Sequence, residues 1–449
     1  MASHSDPRAA IDNFDAQPRG LQKLRILPRS IGQRYSTIST PGVVLRSRNM
    51  FGLVAPRLSR LLLIAIAVAV MVAVGCQSTP NTPDDVEAQL QAALDSLREE
   101  YGFPGATAAL MLSDGTLVVA ATGLADRESE VVMTPDTRML AASIGKTFVS
   151  STVLGLAADG RLSLDSPVSQ WLASEDWFGR LPNHRSVSIR HLLNHTSGIP
   201  NHVEDSGFAA AFSSDWSEAE NSLNPETLVG FVLDKPALFP AGEGWAYTDT
   251  GYILLGLVIE KVTKRSYYEE VTERFLVPQL LTSTVPSNHR DLTDLATGYM
   301  DAANPFGLPT RTTDADGRMH WNPAVEWTGG GLASNSRDLV RWGKLLFEGE
   351  VMDAEYLDEL LLAVAVDPAN DLIGYGAGVS IHREGGNGPW YGHSGWIPGY
   401  TSTLRYYPDQ RAALAFQINT DIGIVDNSTD LFDQMAAQLE RILSEFDAN

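Results

Sequence analysis

Cysteine is nearly missing from this sequence, with one in 449 residues. Disulfides within the chain are therefore excluded, and the fold must rest on its apolar core. Lysine is scarce too, with six, and 33 Lys plus Arg stand against 55 Asp plus Glu for a formal net charge of −22. Such a surface repels nucleic acid and anionic lipid, so polynucleotide binding is excluded as a function. Long apolar runs are also wanting. The stretch Leu61 to Val74 is too short for a comfortable membrane span, which needs about 20 residues. There is no internal repeat and no Gly-x-Ser-x-Gly elbow of the strand-to-helix serine hydrolases.

What is present begins with that short apolar stretch. Arg57 and Arg60 precede it and Gly75-Cys76 follow it, the flanks of a secretory signal. Ala73-Val74-Gly75-Cys76 resembles a bacterial lipobox, with alanine where leucine is usual, which implies a lipid on Cys76 and a mature chain starting there. Residues 1–49 precede a segment of ordinary signal proportions that opens at Met50, so translation is expected to start at Met50. Residues 1–76 are thus set apart as upstream extension and signal, 77–83 as a polar, proline-bearing tether, and 84–449 as the folded domain. The expectation is a lipid-anchored protein of the cell envelope, on the periplasmic face of an outer membrane or the outer face of the cytoplasmic membrane.

Within the domain, Asp84 to Tyr101 has helical spacing of Val86, Leu90, Leu94 and Leu97. Ala106–Leu112 and Thr116–Thr122 read as strands around the turn Ser113-Asp114-Gly115. A helix-rich stretch follows to about Arg337, including Val187–Asn194, Pro225–Leu233, Gly251–Thr263 and Tyr267–Phe275. Helices are expected at Asp338–Glu348, Ala354–Val364 and Asn427–Ser444, and strands at Tyr375–His382, Tyr400–Tyr407 and Ala412–Asn419. The simplest architecture is α+β: an antiparallel sheet built from both ends of the domain, with residues 147–337 inserted as a mainly helical lobe.

Ser143-Ile144-Gly145-Lys146 carries the chemistry. Positions i and i+3 of a helix share a face, so the Ser143 hydroxyl and the Lys146 amine can meet. A serine needs a neighbouring base to become a nucleophile. Tyr247-Thr248-Asp249 and His393-Ser394-Gly395 follow in the chain, with His191-Leu192-Leu193-Asn194-His195-Thr196-Ser197-Gly198 and Gly329-Gly330-Gly331-Leu332-Ala333-Ser334 as accessory stretches. Together these resemble the class C β-lactamase and D-Ala-D-Ala carboxypeptidase family, whose motifs are Ser-x-x-Lys, Tyr-x-Asn and Lys/His-Thr/Ser-Gly. The resemblance implies a penicillin-binding serine hydrolase without metal or organic cofactor. Ser143 would attack a carbonyl and form an acyl-enzyme, and Lys146 and Tyr247 would move protons. The backbone N–H groups of Ser143 and Trp396 would form the oxyanion hole. Asp249, His393, Ser394 and Gly395 would bind substrate.

Two departures bear on the substrate, which could be a peptide, an ester or a β-lactam. His393 stands where class C β-lactamases have lysine, as in the carboxypeptidase and esterase branches. Asp249 replaces asparagine; a carboxylate only accepts hydrogen bonds, favours the charged form of Lys146 and shifts the burden of base to Tyr247. Asp249 could instead meet a cationic substrate group. A D-Ala-D-Ala carboxypeptidase is the first expectation, then an esterase or a D-amino-acid amidase or peptidase, then a β-lactamase; a non-enzymatic acylated sensor or binding protein stands outside these. His191 and His195 stand four apart, but no third ligand completes a metal site, and they are read as a helix end.

Overall fold

A computed structural model of the chain describes residues 82–215, 223–386, 388–423 and 431–447. Cys76 and the apolar stretch before it lie outside the described residues. Helix α1 (Pro83–Tyr101) starts within the expected tether. Thr82 caps it, its hydroxyl accepting the Asp85 N–H while Asp85 reaches back, and Pro83 takes a first-turn position where no N–H is needed.

The scaffold is a nine-stranded sheet in the order β3-β2-β1-β9-β8-β7-β6-β5-β4, antiparallel throughout. Strands β1 (Gly105–Met111), β2 (Leu117–Asp126) and β3 (Val131–Val132) come from the start of the domain. The others are β4 (Val364–Asp367), β5 (Asn370–Tyr375), β6 (Ser380–His382), β7 (Trp390–Ile397), β8 (Tyr400–Tyr407) and β9 (Ala412–Ile418). Pairing of β1 with β9, Ala108 opposite Phe416, joins the two ends as the sequence suggests. Alternate residues then face opposite sides. Ala106, Ala108, Leu110, Leu414 and Phe416 pack under α1 and the last helix α5 (Leu431–Asp447), whereas Ala109, Ala413 and Ala415 face the helical block.

Helix α2 (Gly145–Ala158) runs through that block. It is buried on nearly every side, including Lys146, Thr147, Ser150 and Ser151, which marks an interior helix. Helices α3 (Asp249–Thr263) and α4 (Ser336–Phe347) belong to the same core. No helix among the described residues is long and apolar enough to cross a membrane.

Two late elements differ from expectation. The helix read as Ala354–Val364 ends at Leu361, and Val364–Asp367 turns into a hairpin with β5. Pro368, which cannot donate to a ladder, sits in the turn between them. The single strand read over Tyr375–His382 is two strands, β5 and β6, broken at Gly376 to Val379, where Gly378 has φ +74° and the Ala377 N–H is drawn off to Leu360 O. His393-Ser394-Gly395 lies inside β7.

Candidate active site

The turn that presents Ser143 is short and tightly held. Ala142 to Ile144 form one 3-10 turn ahead of α2. Ala142, directly before the serine, has φ +49°, a left-handed conformation that a side chain disfavours. Surrounding structure over-determines it. The Ala141 N–H donates to Leu332 O at 2.9 Å, and Ser402 Oγ donates to Ala141 O at 2.8 Å. Two glycines press on the turn. A Cβ on Gly330 would lie 2.3 Å from Ala142 O, and one on Gly395 would lie 2.3 Å from Ala141 O. Only glycine permits both approaches, so the Gly-Gly-Gly run and the third motif converge on the serine. Strain of about 1–3 kcal/mol of this kind persists only where neighbours enforce it.

Lys146, fully buried one turn on, donates to Ser143 Oγ at 3.0 Å, to Asp249 Oδ1 at 2.5 Å and to Gly329 O at 2.5 Å. From the other side the Tyr247 hydroxyl donates to Ser143 Oγ at 3.0 Å. Tyr247 and Asp249 come from the start of α3, where the Thr248 N–H donates to His195 Nδ1 and the Asp249 N–H to Asn201 Oδ1. The structure thus brings Ser143, Lys146, Tyr247 and Asp249 together from segments a hundred residues apart.

Charges in this cluster are set by burial and pairing. Burial alone would depress the Lys146 ammonium; the adjacent Asp249 carboxylate overrides it and raises its pKa. Asp249 is held below the usual carboxylate range, as Lys146 outweighs burial. Burial pushes the Tyr247 phenol up to about 12, with Lys146 opposing. His393 Nε2 lies 2.8 Å from the Tyr375 hydroxyl and Nδ1 2.5 Å from Ser394 O, so Nδ1 carries the proton and Nε2 accepts. Burial first, then repulsion by Lys146, lowers its pKa to about 4, and the ring is neutral at pH 7.

The remaining third-motif residues sit beside the serine turn. Ser394 is exposed, its hydroxyl 3.3 Å from Thr403 Oγ1. The Trp396 indole donates to Asp421 Oδ2 at 3.1 Å. Ladder pairing of β7 with β6 stops at Gly392 opposite Ser380, while pairing with β8 runs to Ile397. Among the described residues, positions 393 to 397 therefore have an open edge beside Ser143.

Several participants lie outside the motifs. His195 is buried beyond the end of the helix Ile189–Leu193, with φ +61° and its ring centroid 4.2 Å from that of Tyr247 and 4.6 Å from that of Tyr375. It is the floor of the tyrosine, more than a helix-end residue. His191 turns elsewhere, its Nδ1 accepting the Ser188 N–H. Glu326 opens the turn that ends at Gly329. Burial lifts its carboxyl to about 8, Lys146 and Asp249 are the charges that reach it, and its Oε2 has no partner among the described residues. A buried carboxylate and a backbone carbonyl have no motif; only the accessory Gly329-Gly330-Gly331 run pointed here.

Comparison with known proteins agrees with this arrangement. Residues 90–438 match the model of the Beta-lactamase family. Penicillin-binding protein 4* of Bacillus subtilis (strain 168) is 26% identical over 340 residues, 74% of this chain and 71% of the relative. Penicillin-binding protein 4 of Amycolatopsis lactamdurans is 27% identical over 366 residues, 78% of this chain and 90% of the relative. Among solved structures, a D-stereospecific amidohydrolase from Streptomyces sp. aligns with a TM-score of 0.64 at 29% identity, over 74% of this chain and 94% of its own. The D-amino acid amidase from Ochrobactrum anthropi SV3, complexed with D-phenylalanine, aligns with a TM-score of 0.68 at 25% identity, over 81% of this chain and 99% of its own. With the sheet, the helical block and the serine turn all in place, the chain belongs to the Beta-lactamase family.

Proposed function

We propose that the protein is a serine hydrolase that works through an acyl-enzyme on Ser143 and cleaves amides whose acyl part is a D-amino acid or D-peptide. The observation that carries the chemistry is a single oxygen, Ser143 Oγ, in hydrogen-bond reach of both Lys146 and Tyr247. Attack would place negative charge on the carbonyl oxygen. The N–H groups of Ser143 and Trp396 are the donors for it, and the approach of Gly395 to Ala141 supports that pairing. The open edge of β7 suits an extended substrate backbone lying beside His393, Ser394 and Gly395.

Charge separates the amide reading from the carboxypeptidase expectation. A C-terminal carboxylate calls for a cation near the third motif. The charges reaching His393 are Lys146, already paired, and Asp249, and His393 itself is neutral. The solved relatives, a D-stereospecific amidohydrolase and a D-amino acid amidase, point the same way. The D-Ala-D-Ala carboxypeptidase remains the second reading, supported by the penicillin-binding relatives. For the cell, the reading keeps the lipid anchor at Cys76 and an envelope location, supported by the signal-like stretch before it.

The test is turnover of D-phenylalaninamide, a D-Ala-D-Ala-terminated peptide and a labelled penicillin by the wild type and Ser143→Ala, with intact mass of trapped enzyme. Amide turnover and a Ser143 adduct are expected, and Ser143→Ala should lose at least about 10³-fold in kcat/KM. Faster cleavage of the carboxylate-terminated peptide would favour the carboxypeptidase. Penicillin turnover would indicate a β-lactamase, and an adduct without turnover the sensor. Undiminished activity in Ser143→Ala would end the reading.

A further inference from the structure

We propose that the indole of Trp396, locked by Asp421, walls the subsite for the side chain of the acyl part and selects large apolar side chains over small ones; this deepens the acyl-enzyme reading above and rests on it. The open edge of β7 carries the inference. Of its residues 393 to 397, His393, Gly395 and Ile397 are buried, and only Ser394 and Trp396 reach solvent. Ser394 offers a small hydroxyl. Trp396 is therefore the one large apolar surface that β7 presents to a substrate on this edge. It is half-buried, and its covered part packs against the core that holds the serine turn. Position along the strand says what meets it. In the acyl-enzyme reading the substrate carbonyl oxygen lies on the Trp396 N–H and its carbon over Ser143 Oγ. The α-carbon of the acyl part is bonded to that carbon, so its side chain branches beside Trp396. An extended substrate on the edge runs about 4.8 Å from β7, well within reach of an indole.

The ring is held still. Its Nε1–H donates to Asp421 Oδ2 at 3.1 Å. The N–H of Gly399, in the turn between β7 and β8, faces the same carboxylate, and the Asp421 N–H donates to Tyr299 O at 3.3 Å. Asp421 thus ties the indole both to the turn that follows it and to the segment around Tyr299. That segment grips the turn as well. The Tyr400 hydroxyl donates to Ala296 O at 2.7 Å and lies 2.8 Å from Thr312 Oγ1. Gly298 comes so close that a Cβ there would lie 2.6 Å from Gly399 O. An indole whose N–H is satisfied and whose rotamer is fixed meets an apolar group with little side-chain freedom left to lose. Asp421 acts through Trp396, so it is a positioning residue. Neither the ring nor Asp421 moves a proton, and their effect falls on the choice of substrate.

The test is kcat and KM for D-alaninamide, D-leucinamide and D-phenylalaninamide, with p-nitrophenyl acetate and p-nitrophenyl 3-phenylpropanoate beside them. The proteins are the wild type, Trp396→Ala, Asp421→Leu and Asp421→Asn. The wild type should prefer D-phenylalaninamide to D-alaninamide by at least about tenfold in kcat/KM, with D-leucinamide between them. In Trp396→Ala that ratio should fall by about tenfold, chiefly through a higher KM for the phenyl substrate. Asp421→Leu strands the indole N–H and should lower the ratio by at least about threefold. Asp421→Asn keeps an oxygen that can accept that N–H and should restore the ratio. A purely structural role would lower every substrate alike and leave the ratio where it was. A wild type without size preference, or a ratio unmoved in Trp396→Ala, overturns the proposal. Should Trp396→Ala fail to fold, Trp396→Phe decides: with no N–H to lock, adding Asp421→Leu should cost no further selectivity, and a further loss overturns the proposal. Failure of the amide reading is seen separately, as D-amides left intact while the two esters still show the size preference. Failure of the acyl-enzyme reading is seen as no Ser143 adduct in the intact mass of the wild type.

Discussion

The two faces of the nine-stranded sheet are covered by different means. Under α1 and α5 lie Leu90, Leu94, Leu97, Phe416, Met435 and Leu439, and the main buried charge there is Arg405 with its partners Glu440 and Asp433. Under the helical block the core is as apolar, yet it encloses Lys146, His195, His202 and His393 and carries a left-handed Ala142. The first face gains stability from area removed from water. The second gives up part of that gain to hold charges and strain where substrate will sit. Stability and chemistry are thus sited on opposite sides of one sheet, so a change on one side should be felt mainly in one property.

The sharpest way to break this comparison is Gly395→Ala. The new methyl would lie 2.3 Å from Ala141 O and 2.4 Å from Ser402 Oγ, and it would push β7 off the serine turn. Misplacing one oxyanion donor costs about 10²–10³ in rate. A loss of that size in kcat/KM is expected, with a thermal midpoint lowered by only a few degrees. A protein that instead unfolds cooperatively far below the wild type, with its remaining folded fraction fully active, would show the active face to be structural first.

Leu94→Ala probes the opposite face. Leu94 is fully buried between α1 and the sheet, and truncation of such a leucine costs about 2–5 kcal/mol. Denaturant unfolding should show that loss, while kcat/KM at 25 °C should stay within about threefold of wild type. A larger change in rate would mean that packing behind the sheet is transmitted to the serine turn, and the separation of roles would fail.

The two faces also differ in how far the amino-acid order reveals them. The α1 face follows from spacing alone: Val86, Leu90, Leu94 and Leu97 recur at helical intervals, and β1, β8 and β9 fall where alternation and turns place them. The sheet closing from both chain ends is legible for the same reason. On the active face, Ser143, Lys146, Tyr247 and Asp249 are legible because side-chain chemistry marks them. The third acceptor of Lys146 is a backbone carbonyl, which any residue supplies, and the place of His195 beneath Tyr247 is set by contacts with residues 50 to 180 positions away. The β4–β5 hairpin was hidden because the apolar run through Val364 continues a helical rhythm, and only Pro368 marks the turn.

Glu326→Gln is the finest test of how much stability the active face gives up. The Glu326 carboxyl is raised to about 8 by burial, from an ordinary value of 4.5. Folded protein therefore keeps this proton through a pH range in which unfolded chain has lost it. Below the unfolded value both states are protonated and the residue contributes no pH dependence. As pH rises through the window from 4.5 to about 8, the folded state falls progressively behind, and above it the full penalty is reached. Glutamine has the same shape and no charge to lose. The variant should match wild-type stability near pH 4 and exceed it at pH 8.5 by several kcal/mol, at about 1.4 kcal/mol for each pH unit of that window. The measurement is urea unfolding at both pH values. A constant difference between the two proteins would show that Glu326 reaches solvent or a partner in the folded state. The active face would then be less strained electrostatically than its enclosed Oε2 implies.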